Sequence, residues 1–504
     1  MQRVKPIAIR FGHRYLSHSA PIPIVPLWIG GEALASSSCG TSLIRHAKTG
    51  KETCEVVVAG KEEIERAVKD SRRAFEEWRS VSGWERRKIL RTVLRLLQER
   101  LPLFEEALRT DIGLSDILIG ADQRSAVNLV DGAASTAIEI DGHIPQTVDN
   151  SLALVFREPF GPVLSIPAFN YPLTLGLRSI VNPLACGNTV IFRSSALIPQ
   201  MHALFGPLFA DAGLPPGCLQ LLNSSEQDVA DHTEQLIAHP SVRMVNFTGS
   251  VRLGRSLAAT CGRYLKPSVM ELGGKSPAII LPSADLKLAA NNILFAAFFS
   301  SGQVCMSNER AIVHESVAEE FESVLRVSAR VLADREGFEL ARPGAAKRLR
   351  LLVDEALSGG ARMIFPIAQS LKSDTSRTSH PAIILKDVPP SSDLTRDESF
   401  APILTVERAS SVSHAIRLAN SHDTGLSASI FTSNHLEALD VARQLESGAV
   451  HINRMTIHDE HSLSHGGVKA SGWGRFNSRG AVESFTYMKS VTLGGGMMLP
   501  LDAI

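Results

Sequence analysis

The chain has 504 residues, with 52 basic and 52 acidic side chains, and 44% of its residues are hydrophobic. This length predicts about two to four domains of ~100–200 residues, each able to bury a core. The balanced charge gives no basic field for nucleic acid or anionic lipid. The longest apolar run, residues 293–299, is far shorter than the roughly 18–20 residues that span a bilayer. We therefore expect a globular protein without a nucleic-acid or membrane partner.

Residues 1–26 form a predicted leader. No acidic residue precedes Glu32, and the basic residues are Arg3, Lys5, Arg10 and Arg14. An acid-poor, arginine-bearing start is typical of a mitochondrial transit peptide, although Pro6 would interrupt an amphipathic helix. Two interpretations stay open: an ordinary extension of a cytoplasmic protein, which we favour, and import into the mitochondrial matrix through residues 1–31.

Helices are predicted first along the chain, and strands that alternate with helices follow. Apolar residues recur at helical spacing in residues 61–78 and 84–108. From about residue 152, short apolar strands are predicted at 161–169, 188–193 and 242–248, with a helix at 172–185. A second series has a strand at 276–282 and a helix at 316–333, and residues 370–379 are predicted to be a surface loop. This alternation predicts an α/β fold with parallel sheets.

The six cysteines are scattered along the chain, at Cys39, Cys54, Cys186, Cys218, Cys261 and Cys305. None of them forms a CxxC pair, so we predict neither a disulfide framework nor a metal site. Few, scattered thiols in a large chain are typical of a reducing compartment, which agrees with the expected cytoplasmic location.

The turn between the predicted strand and helix of residues 242–254 is a candidate phosphate site. Gly249 and Ser250 follow the strand, and Gly254 lies in the helix. A glycine lets backbone approach a ligand closely, and free N–H groups at a helix N-terminus favour an anion. The spacing is GxxxxG and not the GxGxxG of dinucleotide sites, so an ordinary strand–helix turn stays open.

Cys305 and Glu271 are candidates for nucleophilic and acid–base chemistry. Cys305 lies among small residues in the segment 298–310, and Glu271 opens the glycine-containing segment 271–277. A reactive cysteine needs exposure and a partner base, and a buried inert thiol is the alternative. The glutamate could be a base in a cleft or a capping carboxylate.

The segment 451–467 is rich in histidine, and it contains the run His458, Asp459, Glu460 and His461. A metal site would need a second pair of ligands, which the segment does not supply. A polar loop that lines a site is the favoured interpretation, although the pattern gives no reason for the clustering.

Together, eight segments in order resemble the aldehyde dehydrogenase superfamily, from about residue 27 to the C-terminus. They are EPFGPVLSIPAFNYP (158–172), PLACGNTVIF (183–192), AGLPPG (212–217), NFTGSVRLG (246–254), MELGGKSP (270–277), GQVCMSNER (302–310), ESFAPIL (398–404) and HGGVKASGWGR (465–475). The resemblance implies an α/β fold with a Rossmann-type cofactor domain, an α/β catalytic domain and a small strand extension for oligomerisation.

The resemblance also implies domain bounds. The NAD(P)-binding domain would comprise residues 27–139 and 160–270, and the catalytic domain residues 271–486. The oligomerisation extension would come from residues 140–159 and 487–500. Strand pairing between subunits would then give a homodimer or homotetramer.

The resemblance assigns three catalytic roles. Cys305 would attack the aldehyde carbon to give a thiohemiacetal, and Asn170 would donate a hydrogen bond to the developing oxyanion. Hydride transfer to NAD or NADP would leave a thioester, and Glu271 would activate the water that hydrolyses it. The product is a carboxylic acid, and no step requires a metal.

For the cofactor, the resemblance implies Gly249, Ser250 and Gly254 near the pyrophosphate, and Glu398 and Phe400 at the nicotinamide ribose and ring. One segment departs from the family pattern. Where Lys-Pro-Ser-Glu is usual, this chain has Arg193, Ser194, Ser195 and Ala196. Ala196 lacks the carboxylate that accepts from the ribose 2′-OH, and Arg193 could pair with a 2′-phosphate, so NADP is as open as NAD.

Arg178 resembles the arginine of the salicylaldehyde, vanillin and benzaldehyde dehydrogenase branch. A guanidinium can stack on a ring or bond a ring hydroxyl, so an aromatic aldehyde is expected, and Tyr171 and His465 would complete the substrate wall. A simple salt bridge of Arg178 is the alternative interpretation. An aliphatic or semialdehyde dehydrogenase, and a non-catalytic cofactor-binding scaffold, also stay open as functions.

Overall fold

A computed structural model of the chain describes residues 22–332, 338–342, 344–366 and 378–494. Most of the predicted leader and residues 370–377 of the predicted surface loop lie outside the described residues. The last leader residues that are described, Ile24 and Val25, form a strand that pairs with Glu55 and Val56.

The strands of the described residues are β1 (Ile24–Val25), β2 (Leu27–Ile29), β3 (Glu32–Leu34), β4 (Thr41–Arg45), β5 (Glu52–Val57), β6 (Leu152–Pro159), β7 (Pro162–Ile166), β8 (Thr189–Arg193), β9 (Leu219–Leu222), β10 (Met244–Gly249), β11 (Ser268–Leu272), β12 (Ser276–Ile280), β13 (Asn308–His314), β14 (Phe338–Glu339), β15 (Arg362–Phe365), β16 (Ser379–His380), β17 (Ile383–Lys386), β18 (Ile403–Ala409), β19 (Thr424–Gly425), β20 (Ser427–Phe431), β21 (Ala449–Ile452), β22 (Val468–Lys469), β23 (Gly472–Trp473) and β24 (Thr486–Leu493).

The α-helices of the same residues are α1 (Lys61–Trp78), α2 (Gly83–Ile112), α3 (Asp116–Thr136), α4 (Pro172–Ala185), α5 (Pro199–Ala203), α6 (Phe205–Asp211), α7 (Val229–Ala238), α8 (Val251–Arg263), α9 (Leu286–Phe298), α10 (Glu315–Ala329), α11 (Ala345–Ser358), α12 (Asp393–Arg396), α13 (Val412–Asn420), α14 (His435–Gln444) and α15 (Ser478–Phe485). Short 3-10 helices lie at Phe299–Gly302 and Arg330–Leu332.

The first large sheet has the strand order β23-β11-β10-β7-β8-β9-β2-β3. Its five central strands, β11 to β9, run parallel, and the strands at both ends join antiparallel. Strands β7 and β9 are buried along their whole length because helices pack on both faces of the sheet. The carboxyl ends of β7, β8, β10 and β11 therefore lie along one edge, where ligands bind in open α/β sheets.

The second large sheet has the order β15-β17-β18-β13-β12-β20-β21. All its neighbours run parallel except the pair β15 and β17. Helices α9 and α10 cover one face, and α13 and α14 cover the other. The predicted α/β architecture is confirmed.

Strands β6 and β24 form a separate two-stranded antiparallel sheet, paired from Leu152 with Leu493 to Pro159 with Thr486. Apolar side chains along it stay exposed, at Leu152, Phe156, Met488, Val491 and Leu493. A two-stranded sheet is marginal alone, and an exposed edge of this kind can pair with another chain.

The predicted helix at 61–78 forms as α1, and the prediction at 84–108 is short by one turn at its C-terminal end, because α2 continues to Ile112. The predicted strands form over shorter spans, and α10 ends earlier than the predicted 316–333. The predicted domain bounds stay a prediction. Strand β23, taken from the predicted catalytic segment, completes the first sheet beside β11.

Asp122 on α3 anchors the start of α4, the helix that follows Asn170. Its two carboxylate oxygens accept from the backbone N–H groups of Leu173 and Thr174, each at 2.8 Å. Burial raises the pKa of Asp122 to about 6 although these hydrogen bonds lower it. A carboxylate from another helix thus serves as the cap that α4 lacks locally, since the N-cap side chain of Tyr171 makes no cap hydrogen bond.

We expect Asp122→Asn to lower the free energy of unfolding by about 1–3 kcal/mol, because an amide offers one acceptor atom where two N–H groups need one each. Denaturant unfolding followed by circular dichroism measures the change. Asp131→Asn, on the exposed side of the same helix, is the matched control, with an expected change within about 0.5 kcal/mol. Equal stability of the two variants would show that Asp122 does not cap α4.

Candidate active site

Cys305 lies on a short loop between the 3-10 helix Phe299–Gly302 and strand β13. Gly302 has a φ of +70°, and a Cβ there would lie 2.2 Å from the Ala401 carbonyl oxygen. The tight turn therefore requires glycine. The thiol is half-buried, and the apolar side chains around it are Phe299, Val304, Met306, Leu426 and Ile457.

Glu271 lies at the carboxyl end of β11 and faces the thiol. Its side chain is only 1% exposed, and its Oε1 lies 3.6 Å from Cys305 Sγ. The other oxygen, Oε2, accepts a hydrogen bond from the Thr248 hydroxyl at 3.1 Å. The structure thus brings together the two residues that the sequence presents 34 positions apart.

The two groups differ in protonation. Burial raises the pKa of the Cys305 thiol well above 9, and the negative charges of Glu271 and Glu398 raise it further. Burial alone would also raise the pKa of Glu271, but the hydrogen bond and charge of His465 and the charge of Arg178 bring it below its usual value. At neutral pH the pair is therefore a protonated thiol beside an ionised carboxylate that can accept its proton.

Asn170 reaches the same loop from the first sheet. It follows β7, and its Nδ2 donates to the carbonyl oxygen of Gln303 at 2.9 Å. An amide nitrogen carries two N–H groups, so one remains to serve as a donor beside the thiol.

His465 occupies the position between Glu271 and a second carboxylate. Its Nε2 lies 3.1 Å from Glu271 Oε1, and its Nδ1 lies 3.7 Å from Asp459 Oδ1. Asp459 in turn forms an ion pair with Arg178, which is 3% exposed. Burial would raise the pKa of Asp459, but Arg178 and His465 lower it to about 2. The structure thus gives Arg178 a carboxylate partner, the alternative that the sequence left open.

A cavity of about 330 Å³ lies next to this chain of charges. Most of its lining is polar: Ser125, Asn128, Leu129, Thr174, Arg178, His458, Asp459, Glu460, His461 and Asn477. The run His458 to His461 therefore forms part of a cavity wall, which accounts for the histidine cluster. Tyr171 is not in the lining, but its hydroxyl bonds to Ser125, which is.

The turn from β10 to α8 has the features of an anion site. The Ser250 side chain caps α8 by accepting from the Leu253 N–H, and the first N–H groups of that helix stay free for a ligand. A Cβ on Gly249 would lie 2.4 Å from the Phe247 ring, and one on Gly254 would lie 2.5 Å from Leu272. Gly254 thus serves the close packing of α8 on β11.

The segment after β8 holds a buried guanidinium. Arg193 ends the strand at the carboxyl edge, and its Nε is buried with no hydrogen-bond partner among the described residues. Burial lowers the pKa of Arg193 to about 10. The Ser195 N–H donates to His202 Nδ1 at 3.1 Å, which fixes the turn, and Ala196 is exposed.

Glu398 and Phe400 are held by a buried ion pair. Lys275 Nζ lies 2.6 Å from Glu309 Oε2, and Glu309 accepts from the N–H groups of Ser399 and Phe400. A Cβ on Gly273 would lie 2.1 Å from the Glu398 carboxylate, so glycine is required beside it. Burial and the charge of Glu309 raise the pKa of Glu398 to about 8.

Sequence reasoning missed the supporting residues Thr248, Asp459, Lys275 and Glu309 as functional partners. Lys275 and Glu309 do lie inside recognised segments, and two opposite charges beside the candidate site could have been paired by hypothesis. Asp459 was noted only as part of the histidine cluster, and nothing in its spacing indicates Arg178. No group of three or more His, Cys, Asp or Glu side chains in the described part of the chain is arranged to hold a metal.

A thiol beside a buried ionised carboxylate, at the edge of a nucleotide-type parallel sheet, defines a cysteine-dependent oxidoreductase. The sequence model of the aldehyde dehydrogenase family matches residues 35–491. The chain therefore belongs to the aldehyde dehydrogenase family and is an NAD(P)-dependent enzyme, and the resemblance drawn from the eight segments is confirmed.

Relatives agree with this assignment. Vanillin dehydrogenase of Pseudomonas fluorescens is 38% identical over 480 residues, which are 94% of this chain and 98% of the relative. Salicylaldehyde dehydrogenase of Pseudomonas putida is 36% identical over 85% of this chain and 89% of its own.

Solved structures agree as well. Salicylaldehyde dehydrogenase of Pseudomonas putida G7, complexed with salicylaldehyde, has a TM-score of 0.89 and 32% identity, over 95% of this chain and 100% of its own. NADP-dependent glyceraldehyde-3-phosphate dehydrogenase of Bacillus halodurans, complexed with NADP, has a TM-score of 0.85 and 29% identity, over 93% and 99%. None of the helices within the described residues has the length and apolar character that a membrane crossing needs.

We expect the alkylation rate of Cys305 by iodoacetamide to keep rising with pH beyond pH 9, because the thiolate is the reactive form and the thiol pKa is raised. In Glu271→Gln the midpoint of this profile should move to lower pH, since the negative charge that opposes thiolate formation is gone. Mass spectrometry of the modified peptide measures both profiles.

Cys305→Ser supplies the background, which should come from the exposed Cys39. The other four thiols are buried, with pKa values raised to about 12 at Cys54, Cys186 and Cys218 and about 11 at Cys261. A midpoint that stays fixed in Glu271→Gln would show that the two groups do not interact as the geometry indicates.

Proposed function

We propose that the chain oxidises a single-ring aromatic aldehyde with polar ring substituents to its carboxylic acid, with Cys305 as nucleophile. The observation that carries the proposal is the Cys305–Glu271 contact, set beside a polar cavity. That cavity, at about 330 Å³, is at the lower end of the ~300–1,000 Å³ usual for ligand sites, which suits one ring better than a long chain. The vanillin and salicylaldehyde dehydrogenase relatives support the aromatic assignment.

The reaction begins with proton transfer from the thiol. Glu271 is ionised and lies 3.6 Å from Sγ, so it accepts the proton as Sγ bonds to the aldehyde carbon. The resulting thiohemiacetal carries its charge on oxygen. The free N–H of Asn170 and the backbone N–H of Cys305 are the donors for that oxygen, and losing one such donor typically costs about 3–4 kcal/mol of transition-state stabilisation.

The residues of the cofactor side fit a nicotinamide dinucleotide. The free N–H groups at the start of α8 suit the pyrophosphate, and the glycine at position 249 leaves backbone open to it. Glu398, fixed by Lys275 and Glu309, offers a carboxylate to the nicotinamide ribose. When bound, the nicotinamide supplies the acceptor for the hydride that the thiohemiacetal loses.

Hydrolysis of the thioester needs a base again. Glu271 can hold a water between its carboxylate and the thioester, and it accepts the proton of that water as oxygen attacks the carbonyl carbon. Collapse breaks the bond between carbon and Sγ, and the thiolate takes back a proton. The half-buried position of Cys305 and the surrounding apolar side chains limit access of other water.

We expect the purified protein to reduce NAD or NADP faster with hydroxylated or methoxylated benzaldehydes than with aliphatic aldehydes of equal size. Absorbance of the reduced nicotinamide measures the rates. Cys305→Ala should abolish oxidation, while Cys39→Ala, which removes an exposed thiol, should leave it unchanged. Faster turnover of aliphatic or semialdehyde substrates would overturn the aromatic assignment. Cofactor binding without any turnover across the panel would favour the scaffold alternative.

We also propose a preference for NADP over NAD. Arg193 is a buried guanidinium whose Nε lacks a partner in the described part of the chain, and Ala196 places no carboxylate near it. A 2′-phosphate would complete the hydrogen bonding of such a group, whereas a 2′-OH would leave its charge unpaired.

We expect Ala196→Glu to weaken NADP binding by about tenfold or more, because one added like-charge contact is worth on the order of 1.4 kcal/mol. NAD binding should change less. Titration by intrinsic fluorescence measures both affinities. Ala196→Gln adds the same bulk without the charge, and an equal loss of NADP affinity in that variant would attribute the effect to size and contradict charge repulsion.

The exposed apolar row on β6 and β24 supports a homodimer or homotetramer formed through this two-stranded sheet. The cytoplasmic location expected from the scattered thiols is part of the same proposal, with import through residues 1–31 as its alternative.

A further inference from the structure

Two proton transfers to Glu271 are required in each turnover of the proposed reaction, on which this inference rests. The first proton comes from the Cys305 thiol and the second from the hydrolytic water. A carboxylate that keeps the first proton is no longer a base when the thioester has formed. Glu271 is 1% exposed, so solvent cannot take that proton from it directly.

The position of His465 answers this requirement. Oxygen Oε1 of Glu271 faces both the thiol, at 3.6 Å, and His465 Nε2, at 3.1 Å, while Oε2 is occupied by the Thr248 hydroxyl. A proton that Oε1 takes from the thiol therefore arrives at hydrogen-bond distance from an imidazole nitrogen.

The backbone holds the imidazole in this place. His465 pairs with Phe476 through two hydrogen bonds, N–H to carbonyl in both directions, at 3.0 and 2.8 Å. On the far side of the ring, Asp459 faces Nδ1 and is itself fixed by Arg178 and by Asn477 Nδ2 at 3.3 Å. The ring thus has a carboxylate at each nitrogen.

We propose that His465, oriented by Asp459, accepts the thiol proton from Glu271 and holds it as an imidazolium until the thioester has been hydrolysed. The bond from Oε1 to hydrogen breaks and the bond from Nε2 to hydrogen forms, so Glu271 is again a carboxylate when water attacks. The imidazolium between two carboxylates is the charged form that its surroundings favour. Oxidation of an aldehyde with NAD(P) and water releases one net proton, and the imidazolium loses it on the Asp459 side, where the cavity lies.

Other charged groups near the ring do not change this balance. Arg178 is paired with Asp459, and Cys305 is neutral as a thiol or as a thioester. Among the neighbouring histidines, burial lowers the pKa of His451 to about 4, so it is neutral at working pH. His465 is thus a positioning residue that acts through Glu271 and does not itself contact the reacting atoms.

The test uses 4-nitrophenyl acetate, which acylates a thiol without aldehyde or cofactor. Stopped-flow absorbance of nitrophenolate gives the acylation rate from the burst and the deacylation rate from the steady state. His465→Phe keeps a planar ring without nitrogen, and His465→Gln keeps a hydrogen-bonding group that cannot take up a proton. We expect deacylation to fall about 10- to 100-fold in both variants, with the acylation rate within about threefold of wild type.

Each outcome decides. Wild-type deacylation in His465→Gln would show that a hydrogen bond to Glu271 suffices, and it would overturn the proton transfer. Acylation and deacylation that slow in parallel would overturn the inference as well, because the loss would then lie in the pocket as a whole. His232→Phe, on α7 and hydrogen-bonded only to Ser224 in the described residues, controls for general loss of a histidine.

The ester separates this inference from the proposed function. If wild type deacylates the ester normally but oxidises no aromatic aldehyde, the substrate assignment fails and the role of His465 is still measured. If Cys305 is not acylated in wild type, the proposed nucleophile and this inference fail together.

Discussion

The site depends on keeping Glu271 ionised in a place that water barely reaches. An ionised carboxylate pays a large desolvation penalty on burial unless hydrogen bonds and opposite charges compensate it. Thr248, on the neighbouring strand β10, supplies one partner, and His465 supplies the other. Since His465 belongs to a segment that follows the second sheet, the requirement of one carboxylate draws distant parts of the chain together.

The same logic recurs on the cofactor side of the thiol. Lys275 and Glu309 are both almost fully buried, and their ion pair would be costly if either partner were alone. Glu309 uses its remaining capacity on the N–H groups of Ser399 and Phe400, so the segment that carries Glu398 is fixed by the pair. Two buried charged networks, one from each sheet, therefore meet at the loop of Cys305.

Much of this could be predicted from the sequence, because the relevant signals are local. The period of α1, the apolar strands β7, β8 and β10, and the glycines of the β10–α8 turn each follow from neighbouring residues. Cys305 and Glu271 were identified through short segments around each of them. Domain bounds and residue roles drawn from the resemblance stay predictions.

The partners of those residues could not be predicted, because pairing over long sequence distances leaves no local pattern. Arg178 and Asp459 are separated by 281 positions, and neither has neighbours that indicate the other. Asp122 gave no signal either, because it caps a helix 51 positions further on instead of its own. Local periodicity predicts elements well, but it does not report which buried charges are neighbours.

The distribution of thiols has a consequence for oxidative damage. Peroxide attacks thiolates, and the pKa values near 11 or 12 of four buried cysteines keep them as inert thiols. Cys39 is exposed but lies away from the residues that form the site. Cys305 is the thiol that has a base within reach, so conversion to a sulfenic acid would silence the enzyme at a single atom and leave its two cores intact. Because that first oxidation step is reversible by thiols, such an enzyme could be switched off during oxidative stress and restored afterwards without being made anew.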